Sequence, residues 1–162
     1  MIVVSDTSPI SNLLMIGWLR ILPEVYGKVV IPDAVYEEVE ALAQFGVNLH
    51  EFYAADWIER AMPTNLNVVS ELLAKLDEGE SEAIVLAEEL AADFLLIDER
   101  LGWQAAQLRN IKTIGLLGTL VKAKEMGIIS AVKPMIEALR QKAKFRMGEA
   151  LVQHVLTVAG EV

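Results

Sequence analysis

A chain of 162 residues, 54% of them hydrophobic, can fill one core but is short for two, so residues 1–162 are expected to form a single domain. The absence of cysteine excludes disulfides, thiolate metal sites and cysteine catalysis. The net charge of −9 argues against a polyanionic partner, yet nine basic residues lie between Arg109 and Arg146 against only Glu125 and Glu137, leaving +7 there and −16 elsewhere. An acidic floor beside a basic rim would produce this asymmetry, and so would solvated helix faces. No basic stretch precedes the apolar N-terminal residues and no apolar run reaches about 18 residues, so a soluble, cytoplasmic protein with no membrane contact is expected.

Ile2 to Ser5 is a β-branched run that reads as a first strand delivering Asp6 to its carboxyl end. Ser8 and Pro9 then form a helix-start signature, with Ser8 as cap and Pro9 in the first turn. Apolar residues at Ile10, Leu13 and Leu14, then at Leu19, Ile21, Leu22 and Val25, continue as a helical hairpin to Gly27. Lys28 to Ile31 reads as a second strand, and Pro32 opens a helix with Val35, Val39 and Leu42 on one face. Residues 46–68 are less regular, with Trp57 to Glu59 suited to an edge strand and Pro63-Thr64-Asn65 to a loop. Ser70 to Leu76 suits a short helix, Asp77-Glu78-Gly79 breaks the pattern, and a long helix runs from Glu80 to Ala91. Phe94 to Ile97, an apolar run between Asp93 and Asp98, has the signature of a central strand buried on both faces. Lys112 to Gly115 is the last strand, after which 117–126, 130–144 and 147–159 are helical. The expected architecture is α/β in three layers: a mostly parallel, twisted sheet of about four to five strands flanked by helices, with the helices of 117–160 extending the same domain.

Ligands of open α/β sheets bind beyond the carboxyl ends of the strands. Asp6 and Asp98 each directly follow a strand, although 92 positions separate them. Either would also serve as a turn or capping residue. At about 100° per residue, Ala83, Ile84, Ala87 and Ala91 form the inward stripe of the long helix. Glu80 begins that stripe, where it could equally complement the helix dipole, and Glu82, rotated by roughly 200°, falls on the outer face. Glu38 shares the face of Val35 and Val39, with its neighbour Glu37 as the alternative. Carboxylates brought together repel one another. A hard cation such as Mg²⁺, bound through oxygen, resolves that conflict and can activate water against a phosphodiester.

The segments VVSDTSPI, VVIPDAVYEEV, LDEGESEAIVLAEEL with ADFLLIDERLG, and FRMGEALVQHVLTVAGE span nearly the whole chain. In this order they resemble the PIN-domain family, and within it small prokaryotic toxin-type nucleases. The resemblance implies four metal carboxylates (Asp6, Glu38, Glu80 and Asp98), Mg²⁺ or Mn²⁺ as cofactor, an RNA substrate and a small antitoxin protein as partner. Ser8, Glu82 and Glu99 are candidates for supporting roles, Ser8 by hydrogen bonding to Asp6 or as a cap, and Lys142 and Lys144 for holding RNA. Two departures weaken the expected metal affinity or activity. The third carboxylate is commonly aspartate and is Glu80 here, and Leu96 and Ile97 stand before Asp98 where such nucleases often carry a threonine. A PIN-like module that binds RNA or protein without cleaving is therefore the alternative.

Other chemistries fit less well. An aspartyl-phosphate phosphatase of the haloacid-dehalogenase type needs a second aspartate at position 8, which is Ser8, and no G-x-G-x-x-G follows the first strand. Trp18, Phe45, Trp57, Trp103, Leu151, Val152, Val155 and Leu156 offer more apolar surface than the chain readily hides, so a homodimer or higher oligomer is expected.

Overall fold

In the computed structural model, which describes residues 1–162, five short strands form one all-parallel sheet. They are β1 (Val3–Ser5), β2 (Val29–Ile31), β3 (Ile58–Arg60), β4 (Phe94–Leu96) and β5 (Thr113–Ile114), in the spatial order β3-β2-β1-β4-β5. Between them run α1 (Thr7–Met15), α2 (Ile21–Tyr26), α3 (Asp33–Glu40), a 3₁₀ turn (Ala41–Phe45), α4 (His50–Tyr53), α5 (Leu66–Leu72), α6 (Glu78–Glu89) and α7 (Arg100–Leu108). After the sheet come α8 (Leu116–Glu125), α9 (Lys133–Lys142) and α10 (Glu149–Val158). The edge strand expected at Trp57 to Glu59 is β3, displaced by one residue. No helix is long and apolar enough to cross a membrane.

Alternation along the strands divides the interior into two cores. Val3, Val29, Ile31 and Leu96 face the larger one, built with residues of α1, α2, α3, α8, α9 and α10. Val4, Leu95 and Ile97 face the smaller one, built mainly with α6. Covering both faces explains the near-continuous apolar strands and gives the three-layer α/β architecture.

Two helix starts differ from expectation, and both matter at the rim. Helix α1 begins at Thr7 with Asp6 as its N-cap residue, so Ser8 lies inside the first turn and does not cap. Pro9 is tolerated there because the first-turn N–H groups have no partner within the helix. Helix α6 begins at Glu78, and Asp77-Glu78-Gly79 is its cap rather than a break. Asp77 Oδ1 accepts from the Glu80 N–H at 2.8 Å, while Glu80 Oε1 accepts from the Asp77 N–H at 3.2 Å, a reciprocal capping box. Every residue from Gly79 to Ala87 is buried, because α3, α5 and α7 pack around this helix as well as the sheet. The single inward stripe inferred for it does not apply.

Glu161 locks the C-terminal helices together. Its carboxylate accepts from the N–H groups of Val132 and Lys133, at 2.7 and 3.0 Å, at the start of α9, and pairs with Lys124 of α8 at 3.0 Å. This fastening draws α10 onto the core, and it explains why much of the expected surplus apolar surface is internal. Val152, Val155 and Leu156 belong to the larger core, and Trp18 and Trp57 pack partly buried against that core. Only Phe45, Trp103 and Leu151 of the proposed interface residues stand exposed.

Leu95 is fully buried between the sheet and α6, whereas Leu108 on α7 is 87% exposed. Leu95→Ala is expected to cost ~2–5 kcal/mol in urea unfolding. Leu108→Ala should stay within ~0.5 kcal/mol of the parent.

Candidate functional site

The strand order reverses at β1, with β2 and β3 on one side and β4 and β5 on the other. Such a switch point leaves a crevice beyond the carboxyl ends of the two central strands. β1 and β4 pair in register, Ser5 opposite Leu96, and the Asp6 N–H donates to the Leu96 carbonyl at 2.9 Å. Asp6, one residue past β1, and Asp98, two past β4, are thereby brought to one rim.

Asp6 is 4% exposed. Burial raises its carboxyl well above the usual range despite a hydrogen bond from the Thr7 N–H, and the charges of Glu80, Asp77 and Glu38 raise it further. Glu38, half-buried on α3, accepts at Oε2 from Thr7 Oγ1 at 3.2 Å, and burial together with Asp77 raises its pKa. Its neighbour Glu37 is exposed. Glu80, on the first turn of α6 and 6% exposed, is pushed up to about 7, by burial first and then by Asp77 and Glu99. Asp98 accepts at Oδ1 from the Leu116 N–H at 2.8 Å and at Oδ2 from Ser8 Oγ at 3.4 Å. Burial raises it as well, with a contribution from the exposed Glu99.

Glycines make room for these carboxylates. A β-carbon at Gly79 would overlap Glu38 Oε2, and one at Gly102 would stand 2.7 Å from Glu80 Oε2. Neither position has a positive φ, so what requires glycine is the close approach of a carboxylate to helical backbone.

Glu38, Glu80 and Asp77 each act on Asp6, Asp77 acts on all three of Asp6, Glu38 and Glu80, and Glu99 acts on both Glu80 and Asp98. None of Asp6, Glu38, Glu80 and Asp98 is in an ion pair. Their donors are all oxygen, buried in Asp6 and Glu80 and half-buried in Glu38 and Asp98, and lack a countercharge, which fits a hard divalent cation. No three acidic side chains stand close enough in this structure to hold an ion between them. Like charges spread apart, and each carboxylate takes a neighbouring donor instead: Asp77, Thr7, Leu116 or Ser8.

Two supporting residues are reassigned. Glu82 does not face outward. It is buried and its Oε1 accepts from the Ala34 N–H at 3.4 Å, tying α6 to the start of α3. Ser8 supports Asp98 rather than Asp6, and Asn12 Nδ2 donates to Ser8 Oγ at 3.0 Å behind it. Thr7, Asn12 and Asp77 were missed by sequence reasoning. The D-x-x-E spacing of the capping box could have found Asp77, whereas the cross-chain bonds of Thr7 and Asn12 leave no local signature.

A cavity of about 340 Å³ opens at Asp98 and Glu99, with Ser8 and Asn12 on one wall and Lys144, Phe145 and Arg146 on another. Asp6, Glu38 and Glu80 are not on its walls. The basic stretch does not form one rim: Arg109 pairs with Glu88, Lys124 with Glu161 and Arg140 with Glu149, while Lys142, Lys144 and Arg146 carry no ion pair. After α9 the chain alternates, with Ala143, Phe145 and Met147 packed against the larger core and Lys142, Lys144 and Arg146 exposed. Lys144 adopts a left-handed φ of 52°, and the Phe145 N–H closes the helix end on the Leu139 carbonyl at 3.0 Å. Glycine usually takes that position, so a lysine held there stores strain beside the cavity.

The sheet is all-parallel, lies between helix layers and carries acidic side chains at its switch point. A family model described as PIN domain matches residues 2–161, and the chain belongs to that family. No curated protein is similar enough to count as a match.

The raised carboxyls set a pH dependence. Glu80 holds its proton to about 7 in the folded chain, against an ordinary value of 4.5. Between those values the folded state binds more protons than the unfolded, so its contribution to stability is complete below 4.5 and is lost as pH rises through about 7. Melting curves in EDTA should show wild type losing stability against Glu80→Gln as pH climbs through this window. Glutamine preserves the capping box. A constant difference between the two proteins would contradict the shift.

Proposed function

We propose that the protein is a divalent-metal-dependent endoribonuclease, acting as one domain over residues 1–162 in the cytoplasm. The observation that carries this reading is the set of buried and half-buried carboxylates without a countercharge at the β1/β4 switch point, one of which, Asp98, shares a cavity with Lys144 and Arg146. PIN domains are generally nucleases, which supports a hydrolase. Asp6, Glu38, Glu80 and Asp98 would hold Mg²⁺ or Mn²⁺, which needs only one or two of them directly because such ions retain water. When bound, the ion supplies a water of lowered pKa and stabilises charge on the phosphodiester.

The chain's own groups divide the remaining work. Lys144 and Arg146 hold the phosphodiester against the Asp98 side of the cavity, with Lys142 farther along the backbone. Ser8 and the Leu116 N–H fix the two oxygens of Asp98, and Thr7 fixes Oε2 of Glu38. Resemblance to toxin-type members extends the reading to a toxin silenced by a small antitoxin protein. The exposed Trp103 and Leu151 leave surface for a homo-oligomer.

A second reading, a PIN module that binds RNA or protein without cleaving it, is favoured by Glu80 being engaged in its own capping box. Hydrolysis of single-stranded RNA by purified protein with Mg²⁺ or Mn²⁺ separates the two. Asp6→Asn should lower the rate by orders of magnitude while the protein still melts cooperatively. Wild type inactive with either metal, or Asp6→Asn as active as wild type, would reject the nuclease.

Gly79→Ala gives a complementary test. Alanine favours a helix by up to ~1 kcal/mol over glycine, so the fold should be retained or slightly stabilised. The Glu38 carboxylate must move aside, and hydrolysis should fall at least tenfold. An unchanged rate would show that the position of Glu38 is immaterial.

A further inference from the structure

A second and larger cavity, about 690 Å³, opens on the other side of the basic segment. Ala143 and Lys144 belong to the walls of both cavities, so they are neighbours across a single stretch of backbone. The larger one is bounded by Phe45, Asn48, His50 and Glu51 opposite Lys142 and Lys144.

Its lining combines an exposed aromatic ring, unpaired lysines and free side-chain polar groups. Phe45 ends the 3₁₀ turn, is 81% exposed and is not packed against either core, so its ring is free on the cavity wall. A flat aromatic ring beside unpaired lysines suits a nucleobase joined to a phosphate. Asn48 Oδ1 accepts from the His50 N–H at 2.9 Å, while the Asn48 amide N–H groups and the His50 imidazole make no hydrogen bond within the chain. These groups can address a base edge. Glu51 is the one acidic residue on the wall, against two lysines.

We infer that this cavity is a nucleobase subsite for single-stranded RNA, in which Lys144 holds the phosphate shared by a nucleotide seated against Phe45 and its neighbour in the Asp98 cavity. The inference takes from the proposed function only that the RNA backbone crosses the Asp98 cavity. A duplex is excluded as the ligand, because stacking on Phe45 needs an unpaired base whose face is open.

The test is fluorescence anisotropy at low salt in EDTA, with a fluorescein-labelled octamer of uridine and the same octamer paired to its complement. Phe45→Ala should weaken binding of the single strand by roughly 5- to 150-fold, the range of one base stacked on an aromatic ring. Phe45→Trp should bind as well as wild type and add tryptophan fluorescence that RNA quenches. Leu108→Ala, on the distant α7, should match wild type, and the duplex should show no dependence on position 45. Phe45→Ala binding the single strand within twofold of wild type, Phe45→Trp giving no added quenching, or wild type failing to bind would each overturn the subsite. If Phe45→Ala weakens binding but wild type cleaves nothing with Mg²⁺ or Mn²⁺, the subsite stands and the nuclease falls. Cleavage with no effect at position 45 removes the subsite alone.

Discussion

Asp6 sits 4% exposed at the end of a central strand, with Glu38, Asp77 and Glu80 acting on it and no lysine or arginine within ion-pair distance. Burying a carboxylate is costly, and burying several that repel one another is more so. The chain meets this cost by raised pKa values and local hydrogen bonds, and the carboxyl groups ionise less readily than free ones, Glu80 only at about 7. Folding selected for stability alone would place apolar or paired groups here. The unpaired acids are therefore the feature that the proposed metal site accounts for most directly.

The rest of the rim follows from holding those acids. Parallel pairing of β1 with β4 brings Asp6 and Asp98 to one rim, and the reversal of strand order leaves space beyond them. The capping box at Asp77 and Glu80 fixes where α6 begins, and the missing side chain at Gly79 lets that start approach Glu38. Glu161 fastens α9 and α10, and the segment between these helices carries Lys144 and Arg146 to the Asp98 cavity. The acidic residues thus come from the strands and helices of the sheet region, and the basic ones from the segment between α9 and α10.

Much of this could be read from residue order because the strands are short, apolar and followed at once by charge: Val3 to Asp6 and Phe94 to Asp98 both announce a buried strand and its exit. Glu38 over Glu37 also follows from helical spacing, and the structure places Glu38 inward and Glu37 outward. The errors have one physical source. A helical wheel assumes one solvent face, whereas α6 is enclosed by α3, α5, α7 and the sheet, so Glu80 and Glu82 are both buried. Likewise, counting basic residues between Arg109 and Arg146 could not show which were already paired. The partnership of Ser8 with Asp98 spans 90 positions and depends on strand register, which no local pattern encodes.

The central claim is that the buried carboxylates form a site completed by a cation. Calorimetric titration of Mn²⁺ into the metal-free protein at pH 7, repeated in two buffers of different ionisation heat, tests it most directly. The expected result is saturable binding with release of a fraction of a proton, because Glu80 is part-protonated at that pH and a metal ligand must give its proton up. Absence of saturable binding, or binding with no proton release that persists unchanged in Asp6→Asn, would contradict the account.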